Sequence, residues 1–248
     1  MKHVRLLIAC ALMLLFSGQS AAAEQQETID QCLEKLAGTW YDEEGRAVLT
    51  IEGGMINRCA VVGADGLAGS PVHGGMGFVV QEGTGTRTLR IGWRLFGGAG
   101  DYITVANGDA LQRTLNPVYF ESIGGIHFGM RTRAVREMLG EGQVLSIENP
   151  YRIGHMRFSN GWYYPEKRFI VLHAHGIVTG LALLPGSQMR FDRSGLAVDD
   201  GWEEYARAYD LPPRPERSEE WTVYPIAPGE YLFFGQQERF VMLSIYPH

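Results

Sequence analysis

The chain has no apolar run long enough to cross a bilayer, few cysteines and no surplus of basic charge. Each shortage excludes something. A membrane-spanning helix needs about 20 consecutive apolar residues, whereas the longest run here, Leu6 to Phe16, has eleven. Lys and Arg number 22 against 28 Asp and Glu. That balance argues against a nucleic-acid partner, because binding a phosphate backbone rests on clustered cations. Ser70, in Ala68-Gly69-Ser70-Pro71, does not lie in the Gly-x-Ser-x-Gly turn that exposes a nucleophile. Gly74-Gly75-Met76-Gly77 does not open a helix and so lacks the backbone donors that cradle phosphate. No four-ligand zinc spacing is found.

What is present begins with Lys2 and Arg5 ahead of the apolar run and Ala21-Ala22-Ala23 after it. A positive start, a short apolar stretch and a small-residue cleavage site together read as a secretory signal over residues 1–23. The expectation is an exported chain, periplasmic or extracellular, soluble once the signal is removed and carrying a net charge near -8. Cys10 falls inside the run. Cys32 and Cys59 then remain in a compartment that permits disulfides, and the simplest expectation is a bridge between them. Closing a loop of that length stabilises by roughly 3 to 4 kcal/mol in the chain-entropy account.

Thirty-two glycines set in short turns point to many strands. Thr28 and Gln31 have capping-box spacing, and Ile29, Cys32, Leu33 and Leu36 fall on one helical face that ends at Gly38. Hairpins follow: Gly38 to Tyr41, Ala47 to Ile51, Met55 to Val62, Met76 to Gln81, Thr88 to Leu95, and Tyr102 to Ala106 ahead of Ala110 to Thr114. Gly63 to Gly75 and Phe96 to Gly100 read as long loops. In the strand Thr88 to Leu95, Leu89, Ile91, Trp93 and Leu95 face one way and Thr88, Arg90 and Arg94 the other, the alternation of a half-buried antiparallel strand. Residues 24–116 are therefore expected to form a helix plus an antiparallel β meander or small barrel.

Asn116-Pro117 marks the boundary to a second unit, residues 117–248. Thr132 to Gly140 reads as a capped helix with Val135, Met138 and Leu139 inward, followed by strands near His155 to Tyr164, Arg168 to Ala174 and Ile177 to Leu184. The order recurs: Trp202, Tyr205 and Tyr209 share a helical face, and strands follow near Glu220 to Ile226, Glu230 to Phe234 and Arg239 to Tyr246. Lys167 to Leu172 and Glu238 to Leu243 match in pattern about 71 residues apart, so two helix-plus-meander halves are expected in one sheet. The fold class is mainly β with an α+β second unit.

Gly129-Met130, then Val135, then Leu139-Gly140, with Trp162-Tyr163-Tyr164 and Phe169 to Val178 beyond, resemble the SmpA/OmlA (BamE-like) family over residues 124–184. The wider fold group includes the β-lactamase-inhibitor protein, built from two tandem helix-plus-sheet units. Members of the family are mostly outer-membrane lipoproteins that assist assembly of other envelope proteins. The resemblance implies a non-enzymatic module that binds another extracytoplasmic or envelope protein through a sheet face or loops, without a cofactor. This chain departs from the family in lacking a cysteine at its expected mature start and in carrying a β unit in front.

Catalytic chemistry finds little support. His173 and His175, two apart on an expected strand, could share a metal with His155, although a solvated face explains them as well. Glu43-Glu44, Asp199-Asp200, Glu203-Glu204 and Glu219-Glu220 read as surface charges and caps. The expectation is a non-catalytic protein-binding module with Trp162, Tyr163 and Tyr164 as its interaction surface, aromatic residues being the usual anchors of interfaces. Alternatives are a lipocalin-like barrel holding a small ligand, and an inhibitor of an extracytoplasmic enzyme.

Overall fold

The computed structural model describes residues 26–154, 156–212, 221–235 and 240–246. The expected export signal, His155, Glu219 and Glu220 lie outside them. Helix α1 covers residues 26–36 and buries Ile29, Cys32, Leu33 and Leu36, the face expected from their spacing. Thr28 lies inside this helix and does not cap it, because helical structure already runs from residue 26. The Trp40 indole donates to the Leu36 carbonyl at 2.9 Å, which ties the end of α1 to the first strand.

Seven antiparallel strands follow in sequence order: β1 (Gly38–Tyr41), β2 (Ala47–Glu52), β3 (Met55–Ile56), β4 (Cys59–Gly69), β5 (His73–Glu82), β6 (Gly85–Arg94) and β7 (Tyr102–Val105). Leu111 then bridges to Ile103 and Gln112 to Tyr41, so the ladder passes from β7 through residues 111–112 back to β1. The meander closes into a small barrel. Residues 63–75 are not a loop: β4 extends to Gly69, carrying bulges near Val61 and Asp65, and β5 starts at His73. Glycine masked the strand pattern there. A Cβ at Gly74 would lie 2.5 Å from the Ala68 carbonyl oxygen, so the hairpin end closes only without side chains.

Trp40, Leu49, Ile51, Ile56, Phe78, Ile91, Trp93 and Ile103 fill the barrel with the α1 side chains. A lipocalin-like ligand has no room in an interior occupied this way. Cys32 and Cys59 join the same apolar cluster as free thiols, so the expected bridge is absent and each acts as a small hydrophobic residue. Burial also pushes the Cys32 thiol up from its ordinary value. A thiol probe on the native protein is expected to modify half-buried Cys59 well before Cys32. Equal labelling rates would contradict this packing.

The second unit is one seven-stranded antiparallel sheet. Helix α2 (Thr132–Leu139) leads to β8 (Gln143–Leu145), a small hairpin of β9 (Tyr151–Ile153) and β10 (Met156–Phe158), and then β11 (Gly161–Tyr164), β12 (Phe169–Ala174) and β13 (Ile177–Leu183). Helix α3 (Trp202–Tyr209) precedes β14 (Trp221–Ala227), β15 (Glu230–Gly235) and β16 (Val241–Ser244). The sheet order is β14-β15-β16-β13-β12-β11-β8, so β13 and β16 join the two helix-plus-meander halves. Val135 of α2 and Tyr205 of α3 pack on the same sheet face, with Phe169, Val171, Leu181, Leu232 and Leu243. Thr132 is the first helical residue, Arg131 the cap position, and Met138 points outward at 50% exposure.

The boundary near Asn116 is not a clean break. Ala99, Tyr102 and Ala110 of the barrel belong to the core of the second unit.

Candidate functional site

Strand pleating separates the aromatic triplet. Successive side chains on a strand point to opposite faces, so Trp162 and Tyr164 lie in the helix-covered core at 7% and 5% exposure. Tyr163 turns to the other face, against Tyr151 at 4.6 Å between ring centroids. The expected interaction surface therefore reduces to one half-buried ring. Gly129, Met130, Val135, Leu139 and Gly140 are structural: Val135 is buried, Met130 and Leu139 pack against the same core, and Gly140 ends α2 at φ 77°.

His173 follows a register shift in β12, with its ring centroid 4.5 Å from that of Trp162. His175 lies beyond the strand, exposed, with Nδ1 3.0 Å from the Gly108 carbonyl. The two imidazoles do not share a face, and no cluster of three metal-binding side chains occurs among the described residues. His127 stacks on Tyr119 at 4.0 Å, and burial lowers its pKa. Neither His127 nor His173 has a carboxylate hydrogen-bond partner among the described residues.

A different surface combines a cavity with unpaired charge. On β6, Ile91 and Trp93 point into the barrel, while Arg90, Gly92 and Arg94 point outward. The register places Asp65, Gly77 and Arg90 in one row across β4, β5 and β6, and Ala68, Gly75, Gly92 and Thr104 in the next row across to β7. Three glycines form the floor of a trough of about 590 Å³. Asp65, Arg90 and Asn107 supply its polar walls. A Cβ at Gly77 would stand 2.9 Å from the Thr88 methyl and one at Gly92 2.9 Å from the Thr104 hydroxyl, so those two positions are held to glycine by their neighbours.

Asp65 and Arg90 are both exposed and do not pair with each other. Two strand spacings put their Cα atoms about 10 Å apart, with glycine between them. Ala106 and Asn107, both left-handed at φ 51° and 60°, close one end where β7 turns.

At the other end the same outward face passes beneath the second unit. Arg94 is fully buried, its guanidinium 4.5 Å from the Phe96 ring centroid and 4.9 Å from that of Tyr246. Asp101 lies 3.8 Å away, and its oxygens accept the N–H groups of Phe96 and Gly97 at 2.8 Å each. Burial pulls the Arg94 pKa down to about 10, so the group stays charged at neutral pH. None of its three nitrogens donates a hydrogen bond to an acceptor among the described residues. The arginine thus fixes the trough's strand against Tyr246, two residues past β16, by stacking.

The alternation of Arg90 and Arg94 against Ile91 and Trp93 was legible in the sequence, and so was the outward direction of both arginines. The trough was not. Its available signal was glycine at 75 and 77, two apart on a strand, facing the same way as Gly92.

No protein-family model, curated protein or solved structure matches the chain. No helix among the described residues is long and apolar enough to cross a membrane.

Proposed function

We propose that this chain is an exported, non-catalytic binding module whose trough holds an extended polar segment of another envelope protein. The observation that carries this reading is the row Asp65-Gly77-Arg90, two opposite exposed charges held apart over a backbone floor. A strand face fixes such groups rigidly, and rigid placement lowers the ordering cost of binding. An extended segment with a cationic side chain toward Asp65 and an anionic one toward Arg90 complements the row. The resemblance of Gly129 to Gly140 to the SmpA/OmlA family supports an envelope protein as the partner.

The test is affinity capture after gentle crosslinking in living cells, comparing wild type with Arg90→Glu and Asp65→Lys. Both positions are exposed, so the variants are expected to keep wild-type melting behaviour. Each is expected to reduce recovery of a specific partner about tenfold, an effect of roughly 1.4 kcal/mol. Undiminished recovery with both variants would remove the trough from the account.

A further inference from the structure

Two glutamates outside the trough are buried, and neither forms an ion pair among the described residues. Glu230 opens β15 and Glu121 lies in the connection between the two units, each at 1% exposure. Glu230 accepts the N–H of Phe120 through Oε1 at 2.8 Å and that of Glu121 through Oε2 at 3.3 Å. Glu121 accepts the N–H groups of Ser122 and Arg193 through Oε1, at 2.9 and 3.0 Å. Its Oε2 accepts the Tyr209 hydroxyl at 2.6 Å. Every donor in this set is neutral.

The charged groups around the pair are engaged elsewhere. The Arg193 guanidinium lies over the Phe120 ring at 3.8 Å. Asp192 accepts the Ser122 hydroxyl at 2.6 Å and the N–H groups of Gly124 and Gly125 at 3.0 and 2.8 Å. From α3 comes Tyr209, whose hydroxyl also meets Ser194 at 2.9 Å. From the β6–β7 loop, which touches the turn at Pro228 and Gly229, come Asp101 and its partner Arg94. A buried carboxyl whose partners are all neutral, and which binds a residue that carries a second buried carboxyl, favours its protonated form.

We propose that Glu230, buried against the backbone of residues 120 and 121, takes up a proton and acts as an acid-reinforced lock, clamping the connection between the two units onto β15 as the pH falls. Burial, with a smaller push from the Glu121 charge, raises the Glu230 carboxyl from its ordinary 4.5 to about 6, against the pull of the two backbone N–H groups. The folded carboxyl therefore binds its proton more tightly than the unfolded chain does. Stability from this group is complete below pH 4.5 and is lost as the pH rises through about 6. The gap corresponds to about a 30-fold change in the unfolding constant.

Urea unfolding from pH 4.5 to 7.5, followed by circular dichroism, tests the lock on the full chain. Between wild type and Glu230→Gln, the ratio of unfolding constants is expected to change about 15-fold across that range, the share of the full effect that lies above pH 4.5. Glu121→Gln is expected to move the wild-type midpoint downward. A pH-independent ratio, or a midpoint indifferent to Glu121→Gln, would overturn the proposal. Should Glu230→Gln fail to fold, carbon NMR of the wild-type Glu230 carboxyl decides: a midpoint near 6 is the expected result and one near 4.5 the contrary one.

Discussion

Gly129→Ala is expected to destabilise the protein by about 4 kcal/mol or more, whereas Gly140→Ala, at the other end of the same motif, should cost about 1 to 3 kcal/mol. Both glycines have positive φ, 74° and 77°, and Gly140 combines it with ψ −168°, a region almost confined to glycine. Their surroundings differ. The Gly129 N–H donates to the Val178 carbonyl at 3.1 Å, and the Gly129 carbonyl accepts the Gln112 amide at 3.0 Å. That single residue thus links β13 to the segment that closes the barrel. A Cβ there would collide with the Ala99 carbonyl oxygen, stand 2.7 Å from Gln112 Nε2 and lie 3.2 Å from the Pro117 ring. At Gly140 nothing lies within 4 Å, so only the backbone preference is lost. Chemical denaturation of the two variants beside wild type measures the difference. Equal costs would mean that the junction yields more readily than its packing indicates.

Trp93→Ala is expected to cost about 3 to 5 kcal/mol. The indole is 3% exposed in the barrel interior, with its ring 6.5 Å from that of Phe78. Its N–H donates to the Ser70 carbonyl at 2.9 Å, which fixes the turn between β4 and β5. Truncation opens a cavity and leaves that carbonyl unpaired, and the two losses act in the same direction. Urea midpoints read by circular dichroism suit this variant, because its loss also removes a fluorophore. A cost below about 1 kcal/mol would mean a slack interior and would reopen the small-ligand barrel.

Periodicity carried much of the architecture. The α1 face of Ile29, Cys32, Leu33 and Leu36 and the α3 face of Trp202, Tyr205 and Tyr209 follow from helical spacing alone. So does the inward set on β6, because a strand alternates with period two. The pattern match of residues 167–172 with 238–243, of which 238 and 239 lie outside the described residues, led to the expectation of two meanders in one sheet, but it held no sign that β13 and β16 pair where they meet.

What escaped sequence reasoning depended on contacts distant in the chain. Gly63 to Gly75 looked like a loop because glycine carries no alternation, yet the backbone there is a paired, bulged strand. Trp162, Tyr163 and Tyr164 looked like one patch because composition ignores the pleat. Arg94 faces outward on its own strand, as its spacing requires, and is buried only because Tyr246 returns over it from the far end of the chain. Glu121 and Glu230 are 109 positions apart, and nothing local marks either as buried. The Cys32 and Cys59 bridge followed from an even count in an exported chain, an argument about compartment that ignores where the thiols point.

The most direct test of the binding account places a photo-activated crosslinking residue at Asn107, on the rim of the trough, and separately at Tyr163, on the opposite sheet face of the second unit. Irradiation in living cells is expected to give a discrete protein adduct from position 107 that Arg90→Glu abolishes, and none from position 163. An adduct from position 163 alone would contradict the account and return the interaction surface to the aromatic strand.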